Sequence, residues 1–464
     1  MQPIRLYNSL TRRVDPLEPL APGRVTIYTC GSTVYRYAHI GNLRTYLFGD
    51  LLCRTLEYLG YEVLHVKNIT DVGHMRETGE DPILLAAEVE GKSPYEIAEF
   101  YADAWLEDEQ LLNFRPADVM PRATDHIAEM IELTSALLAK GLAYEVAGNV
   151  YFDVSAFPAY GQLSGQKLDE MRAGHRVDIE ADKHDPEDFA LWKRAEPDRL
   201  MKWPSPWGDG FPGWHIECSA MSMKYLGERF DIHTGGIDLK FPHHEDEIAQ
   251  SEGTTGHQVV SVWMHGEFLT LDDAKMARSV GNVIRVTDLP SKGFQPLDFR
   301  YLALTAHYRS KLDFTYEAMQ AAAHGLRRLR RAVAEGAEGG PTPDLATEPM
   351  AGYRARFVEA ISDDLAMPKA IAVAHAVAAA DDLAPAARRA LLLDFDRVLG
   401  LDLGAPAEPG DRELPAGAAE LLERRASARL ARDYGASDAL RDELAALGVD
   451  VRDTPEGQVA TPRR

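Results

Sequence analysis

Cysteine is scarce in this chain. Only three of its 464 residues are cysteine, at positions 30, 53 and 218. An odd and sparse set is not a disulfide framework, so each thiol is expected to be packed in a core or to hold a metal in a reducing compartment.

Other features are missing as well. No stretch approaches the roughly 20 apolar residues of a membrane-spanning helix, and the first residues lack the basic-then-apolar order of a secretion signal. We therefore expect a cytoplasmic protein without membrane contact. A net charge of −23 excludes a protein coated in nucleic acid but leaves room for local basic patches. The sequence contains neither G-x-G-x-x-G nor a Walker A motif, which disfavours ordinary dinucleotide and P-loop sites.

The N-terminal half has the pattern of a nucleotide-binding α/β fold. Residues 24–31 and 62–67 are strand-like, and a helix-period run over 43–59 separates them. This order predicts a parallel sheet with a right-handed crossover. Ligands bind beyond the carboxyl ends of such strands, so one crevice is expected to gather Cys30, Gly31, Thr70 and Asp71.

Composition predicts where the fold is interrupted. Residues from about 115 to 200 hold short strand-like pieces among prolines and charges, and are interpreted as an insertion before strands resume at 230–233 and 261–265. Gly/Pro-rich linkers at 335–343 and 403–410 separate an Ala/Leu-rich helical stretch from an Arg-rich helix and a short tail.

Four scattered residues could hold a metal. His243 and Glu247 follow Pro242 at helical i, i+4 spacing and would share one face. With Cys30 and Cys218 they make a plausible tetrahedral set for a borderline-soft dication such as zinc. Spacing alone leaves open that the two cysteines are packed core residues.

Two segments could bind nucleotide phosphates. His39-Ile40-Gly41-Asn42 stands between the first strand and its helix, where free N–H groups and the helix dipole favour anions. An ordinary capped turn would have the same pattern. Lys275-Met276-Ala277-Arg278-Ser279 carries two positive charges suited to a departing pyrophosphate, although alone it reads as a solvated loop.

In order along the chain, these motifs resemble the cysteinyl-tRNA synthetase family over nearly the whole length. The most specific stretches are Trp214-His215-Ile216-Glu217-Cys218-Ser219-Ala220-Met221 and residues 235–250. The stretch from Asp363 to Ala370 looks like the opening of the family's helical domain, and residues 441–444 and 453–457 look like its anticodon end.

The resemblance implies a Rossmann-type parallel-sheet catalytic domain over 1–290 with a connective insertion. A stem-contact region at 291–335, a helical bundle at 350–402 and an anticodon-binding region at 415–464 would follow. It implies ATP-dependent activation of L-cysteine and transfer to tRNA(Cys). We expect a monomer. One zinc ion would select the thiolate, and Mg²⁺ would accompany ATP.

The resemblance also assigns residues. Cys30, Cys218, His243 and Glu247 would bind the metal. Gly31, Thr70, Trp214, His233 and Asp238 would bind cysteine, with Asp238 meeting its ammonium group. His39, Gly41, Asn42 and Lys275 would bind ATP, and His39, Asn42, Lys275 and Arg278 would be catalytic. Arg327-Arg328-Leu329-Arg330-Arg331 and the arginines at 424, 425, 429 and 432 would face tRNA, although arginine-rich helices are most often solvated.

Several positions depart from the family's usual motifs. Asn42 replaces a histidine, Ala277 and Arg278 replace a serine and a lysine, and Ser32 replaces a proline. Asp71 is followed by Val72-Gly73-His74 instead of the acidic pair common in the family. These changes bear on rate. Rival interpretations are a ligase joining cysteine to an amino-sugar, as in mycothiol synthesis, and a catalytically silent zinc-binding paralogue. A zinc hydrolase is disfavoured, since H-E-x-x-H is missing and four protein ligands leave no position for water.

Overall fold

The computed structural model describes residues 2–74, 81–166, 182–271, 274–275, 283–337, 343–405, 417–454 and 457–462. The chain forms two compact units. The first comprises Met1–Arg285, Ala306–Phe314 and Ala360–Ala366, and the second comprises Val286–Thr305, Thr315–Glu359 and Met367–Arg464.

The first unit is a mixture of helices and strands. In chain order its elements are β1 (Arg5–Asn8), β2 (Arg13–Pro16), β3 (Arg24–Thr33), α1 (Ile40–Tyr58), β4 (Glu62–Thr70), α2 (Pro82–Glu90), α3 (Pro94–Leu111), α4 (Ile127–Ala139), β5 (Ala143–Val146), β6 (Asn149–Phe152), β7 (Phe189–Arg194), β8 (Gly210–Pro212), α5 (Trp214–Leu226), β9 (Phe230–Gly236), α6 (His243–Thr255), β10 (Val260–Gly266), β11 (Leu269–Leu271), β12 (Ala274–Lys275) and β13 (Leu312–Phe314).

The central sheet is parallel, as the sequence predicts. Its strand order is β10-β9-β3-β4, and α1 connects β3 to its neighbour β4. Two strands are longer than the sequence predicts. Strand β4 continues past residue 67 to Thr70, and β9 continues past residue 233 to Gly236. The inner strands β3 and β9 align Thr29 with Thr234, whose hydroxyl oxygens lie 2.8 Å apart. The carboxyl ends of these strands therefore meet at one edge.

The insertion builds its own antiparallel sheet, in the order β5-β6-β7-β8. Its buried side chains Phe152 and Trp192 belong to the same apolar cluster as Tyr28 of the central sheet. Strand β8 pairs with β7, with Pro212 opposite Trp192. The inserted sheet therefore extends past residue 200, where composition had placed its end, because tertiary pairing and not polarity defines the last strand.

A second small sheet lies next in the chain, in the order β12-β11-β13. Strands β11 and β13 are parallel, and β12 pairs antiparallel with β11 so that Lys275 stands opposite Thr270. This sheet holds the backbone of the first cation of the predicted phosphate loop.

The second unit is largely helical. Its described elements are α7 (Pro296–Leu304), α8 (Tyr316–Glu335), α9 (Met350–Ser362), α10 (Met367–Ala378), α11 (Pro385–Leu399), α12 (Ala418–Leu430), α13 (Tyr434–Ala446), β14 (Val449–Thr454) and β15 (Gly457–Pro462). The last residues of α9, from 360 onward, are counted with the first unit.

Residues 417–462 have a small core of their own, formed by Ala418, Leu444 and Val449. Here Arg425 is buried and both its terminal nitrogens donate to Asp453, at 2.8 and 2.9 Å. A further donor to Asp453 is Arg429, which is 40% exposed. Of the basic patch predicted in this region, Arg425 therefore has a structural role. Among the helices that the structure describes, none combines the length and apolar character required to cross a membrane.

Candidate metal centre and substrate cavity

Four predicted ligands come together in the first unit. Cys30 lies in β3, Cys218 in α5, and His243 and Glu247 on the first turns of α6. One ligand atom from each lies within 4.8 Å of all the others. All four residues are buried, with exposures of 2–4%. Residues separated by up to 217 positions thus form one cluster, which we call the metal-side cluster.

Local backbone requirements place these side chains. Gly31 follows Cys30, and a Cβ there would lie 1.7 Å from the carbonyl oxygen of Asn68 on the adjacent strand. Gly213, which caps α5, would bring a Cβ to 1.9 Å from the carbonyl oxygen of Ala190. Both glycines allow a close backbone approach that any side chain would prevent. Pro242 precedes α6 and sets His243 and Glu247 one turn apart on one face.

The cluster is electrostatically coupled. The two sulfur atoms are 3.8 Å apart, and the hydrogen bond from Cys30 lowers the pKa of Cys218 to about 6 against the opposing effect of burial. Burial and the neighbouring Cys218 raise the pKa of Cys30. Burial would lower the pKa of His243, but Cys218 and Glu247 raise it to about 10. Cys218 and His243 therefore each favour the charged form of the other.

The donor set fits a metal ion. Two sulfurs, one imidazole and one carboxylate are borderline-soft ligands in the number that tetrahedral dications take. Glu247 has its Oε1 atom 3.2 Å from Nε2 of His243 and 3.7 Å from the sulfur of Cys30. Its Oε2 atom lies 2.8 Å from Nε2 of His233. One carboxylate oxygen thus faces the other ligands while the second is held from outside.

A second grouping of Cys30, His233, His244 and Glu247 is also compact. However, both ring nitrogens of His244 have partners. Nδ1 lies 2.8 Å from Nε2 of His265, and Nε2 lies 3.3 Å from the sulfur of Cys30. His265 in turn contacts the hydroxyl of Ser9 at 2.8 Å. Such chains of hydrogen bonds are typical of residues that orient metal ligands from outside.

A cavity of about 900 Å³ opens beside the cluster. Five of the predicted site residues line it: Cys30, Gly31, Asn42, Trp214 and Asp238. Two others, Thr70 and His233, are buried and are not among the residues that line it. Thr70 accepts a hydrogen bond from Nδ2 of Asn68 at 3.0 Å, and His233 contacts Glu247 as above. The predicted amino-acid pocket thus divides into wall residues and supporting residues.

The His-Ile-Gly-Asn segment forms a reciprocal cap at the start of α1. The backbone N–H of Asn42 donates to Nδ1 of His39 at 3.2 Å, and the N–H of His39 donates to Oδ1 of Asn42 at 3.3 Å. A Cβ at Gly41 would lie 2.9 Å from Nδ1 of His39 and crowd this ring. Asn42 therefore has a local role that accounts for its place in the motif. It still reaches the cavity.

The cationic loop is described only in part. Lys275 has its backbone in β12, opposite Thr270. Its side chain, and Ala277 and Arg278 as a whole, lie outside the described residues.

Sequence reasoning missed several residues of the cavity wall. The ring of His74 stacks on that of Trp214 with centroids 5.3 Å apart and planes 5° from parallel. Asp246, between the ligands of α6, accepts a hydrogen bond from the hydroxyl of Tyr160 at 2.5 Å and also pairs with His215. Tyr160 comes from the insertion, so no local pattern joins it to α6. For Asp246 the available signals were its position between two predicted ligands and its place in the family-specific stretch 235–250.

Comparisons with known proteins agree with this geometry. The family described as tRNA synthetases class I (C) catalytic domain matches residues 16–324, and the family described as cysteinyl-tRNA ligase anticodon binding domain matches residues 411–459. A cysteine–tRNA ligase of Thermus thermophilus is 46% identical over 97% of this chain and 98% of its own length. That of Treponema denticola is 42% identical over 97% and 98%. The chain belongs to the cysteine–tRNA ligase family.

Solved structures support the fold at lower identity. A methionyl-tRNA synthetase of Mycobacterium tuberculosis, in complex with methionyl-adenylate, aligns with a TM-score of 0.56 and 16% identity over 82% of this chain and 90% of that one. A leucyl-tRNA synthetase complex from Agrobacterium radiobacter K84 gives 0.57 and 12% over 84% and 85%. The architecture is that of a class I synthetase, as predicted, and the chain is an aminoacyl-tRNA ligase of that class. The amino-sugar ligase and silent-paralogue interpretations are not favoured.

Proposed function

We propose that the protein activates L-cysteine with ATP and transfers the cysteinyl group to tRNA(Cys). The observation that carries this proposal is that Cys30 of the metal-side cluster lines the same cavity as Asn42, Trp214 and Asp238. A thiol-preferring centre and a phosphate-binding helix start then face the same space. Family membership provides independent support.

We further propose that the metal is zinc, held by Cys30, Cys218, His243 and Glu247. When bound, zinc would favour the thiolate of cysteine over the hydroxyl of serine, which pocket shape alone separates weakly. The protein's own contribution is to present these ligands preassembled. His233 fixes Glu247, and the His244–His265–Ser9 chain fixes the ring beside Cys30.

Amino-acid binding is assigned to the cavity wall and its support. Asp238 would accept the substrate ammonium, since it is the predicted carboxylate on the wall. Trp214, stacked on His74 and 4.5 Å from the ring of His243, would bound the side-chain space. Gly31 would contact the substrate from the wall beside Cys30. Thr70 and His233 would act from behind the wall.

The chemistry needs no covalent enzyme intermediate. A carboxylate oxygen of cysteine attacks the α-phosphorus of ATP, a P–O bond forms, and the bond to the bridging oxygen breaks to release pyrophosphate. The amino end of α1, with His39, Gly41 and Asn42, would bind the phosphates, and Lys275 and Arg278 would stabilise the leaving group, with Mg²⁺ accompanying ATP. The terminal ribose hydroxyl of tRNA then attacks the carbonyl carbon, and AMP leaves.

We propose a division of labour along the chain. Residues 1–290 with their insertion perform activation, 291–335 contact the tRNA stem, 350–402 form the helical bundle and 415–464 contact the anticodon. The insertion is taken to Pro212 because β8 completes its sheet. A cytoplasmic monomer is proposed as the working form.

One assay series tests the function. Cysteine-dependent ATP–pyrophosphate exchange is measured on the full chain, followed by charging of total tRNA. We expect both activities. If the wild-type protein shows no exchange, the proposal that it is an enzyme of this kind is refuted. Exchange without charging would indicate that the acceptor is not tRNA but another amine or hydroxyl, such as an amino-sugar.

A further inference from the structure

Arg44 is a buried cation that the proposed reaction does not use. It lies in α1, and the residue is 5% exposed. Its Nη1 donates to the carbonyl oxygens of Glu267 at 2.8 Å and Phe268 at 2.5 Å. Its Nη2 donates to those of His307 at 3.3 Å and Ser310 at 2.5 Å. A single guanidinium therefore binds four backbone carbonyls in two pairs.

These carbonyls belong to the approaches of two strands. Glu267 and Phe268 directly precede β11, and His307 and Ser310 precede β13, the parallel neighbour of β11. The backbone N–H of Glu267 also donates to the carbonyl of Tyr308 at 2.8 Å. Arg44 thus fixes where both strands begin.

The strand pair leads to the predicted ATP site. Thr270 of β11 stands opposite Lys275 and donates its hydroxyl hydrogen to Asp313 of β13 at 2.8 Å. The two residues from Phe268 to Thr270 span about 7 Å of extended chain. The backbone of Lys275 is therefore connected to Arg44 through a short and rigid path.

The residues that follow the cationic loop, where the described chain resumes at residue 283, are also hydrogen-bonded to α1. The backbone N–H of Ile40 donates to the carbonyl of Ile284 at 2.9 Å. Ile40 and Arg44 are one helical turn apart, so they share a face of α1. The same helix starts at His39 and Asn42. The amino end of α1 therefore carries the His39–Asn42 part of the proposed ATP site. It is also hydrogen-bonded to the described segments on either side of the cationic loop.

Stability alone is a poor reason for this arrangement. Burial lowers the pKa of Arg44 to about 10, although the nearby Glu267 carboxylate opposes the shift. A well-packed apolar side chain would avoid such desolvation. What an apolar side chain cannot do is hold two pairs of carbonyls in a planar fork.

We propose that Arg44 is a positioning residue for adenylate formation, which sets the spacing between the start of α1 and the strand pair that carries Lys275. The inference rests on the proposed function. It predicts an effect on the activation step and none on cysteine affinity or on the later transfer to tRNA.

The test compares Arg44→Lys with Arg54→Lys in the full-length protein. Arg54 lies on the same helix and is also largely buried. It pairs with Asp50 at 2.9 Å and donates to the carbonyl of Asn113 at 2.6 Å. Lysine keeps the charge in both cases but loses the fork. We expect kcat for exchange to fall about 100-fold in Arg44→Lys, as for a displacement of about 1 Å. The KM for cysteine and the metal content should be unchanged.

Transfer is measured separately, as single-turnover charging from preformed enzyme-bound cysteinyl-adenylate, and should keep its wild-type rate in Arg44→Lys. Normal exchange in Arg44→Lys, or an equal loss in Arg54→Lys, would overturn the inference. So would a parallel loss of cysteine affinity and transfer. If Arg44→Lys does not fold, Arg44→Gln takes its place with the same criteria. Wild-type protein without exchange refutes the proposed function itself, a separate result.

Discussion

Cys218 and Cys53 are buried to nearly the same extent, at 2% and 5% exposure, yet their surroundings give the two thiols opposite properties. Burial among apolar neighbours and the carboxylate of Asp50 raise the pKa of Cys53. At Cys218 the Cys30 thiol donates a hydrogen bond and His243 adds positive charge, and together these lower the pKa to about 6. The degree of burial therefore does not distinguish a thiol suited to metal binding from a packed core thiol. The neighbouring hydrogen-bond donors and charges make that distinction.

The largest effect on metal binding and activity is expected when the thiol of Cys218 is removed. Cys218→Ser should lower metal content and cysteine-dependent exchange by more than about 100-fold, since loss of an outer-shell partner alone costs 10–100-fold. Metal analysis and exchange assays measure both. Full activity in a metal-free variant would refute the metal assignment.

The outer hydrogen bonds should matter less than the ligands. His265→Gln interrupts the chain from Ser9 to His244 and should weaken metal affinity about 10–100-fold without abolishing binding. Competition with a chelator of known affinity gives the value. A change as large as that of Cys218→Ser would mean that His265 is itself a ligand.

Titration of metal-free protein sharpens the contrast between the thiols. Thiolate absorbance near 240 nm should rise with a midpoint near pH 6, and this step should be lost in Cys218→Ser but kept in Cys53→Ala. A cysteine in an unfolded chain has a pKa of about 8.5. The lowered pKa therefore stabilises the metal-free fold fully above that pH, and this contribution disappears as pH falls through about 6. A midpoint above 8 would contradict the thiolate–imidazolium pair.

The smallest effect is expected at the other thiol. Cys53→Ala removes one buried sulfur and should lower the free energy of unfolding by about 1 kcal/mol, a typical value for a small core change. Exchange activity and metal content should stay at wild-type levels. Denaturant unfolding measures the first quantity. Loss of metal in this variant would show that burial, and not the set of neighbours, defines the centre.

Much of the fold was predictable from local pattern. Period-2 and period-3.6 runs located β3, α1, β4, β9 and β10, and their order predicted the parallel sheet. The end of the insertion was not predictable, because β8 is only three residues long and exists through its pairing with β7. A capped turn at His39–Asn42 was one of two open interpretations of the sequence, and the reciprocal hydrogen bonds between these residues show that it forms.

By itself, the sequence predicted the class of fold from periodicity, which is a local property. The order of its motifs indicated the family by resemblance, and that resemblance singled out four side chains that spacing alone left open as core residues. Only the tertiary structure shows which thiol has the lowered pKa, which hydrogen-bond partners His233 and His244 have, and that Thr70 and His233 are buried outside the residues that line the cavity. The physical reason is that a pKa, a hydrogen-bond partner and a cavity wall depend on atoms from distant segments. Tyr160, His215 and Asp246 meet only after the insertion folds against α6.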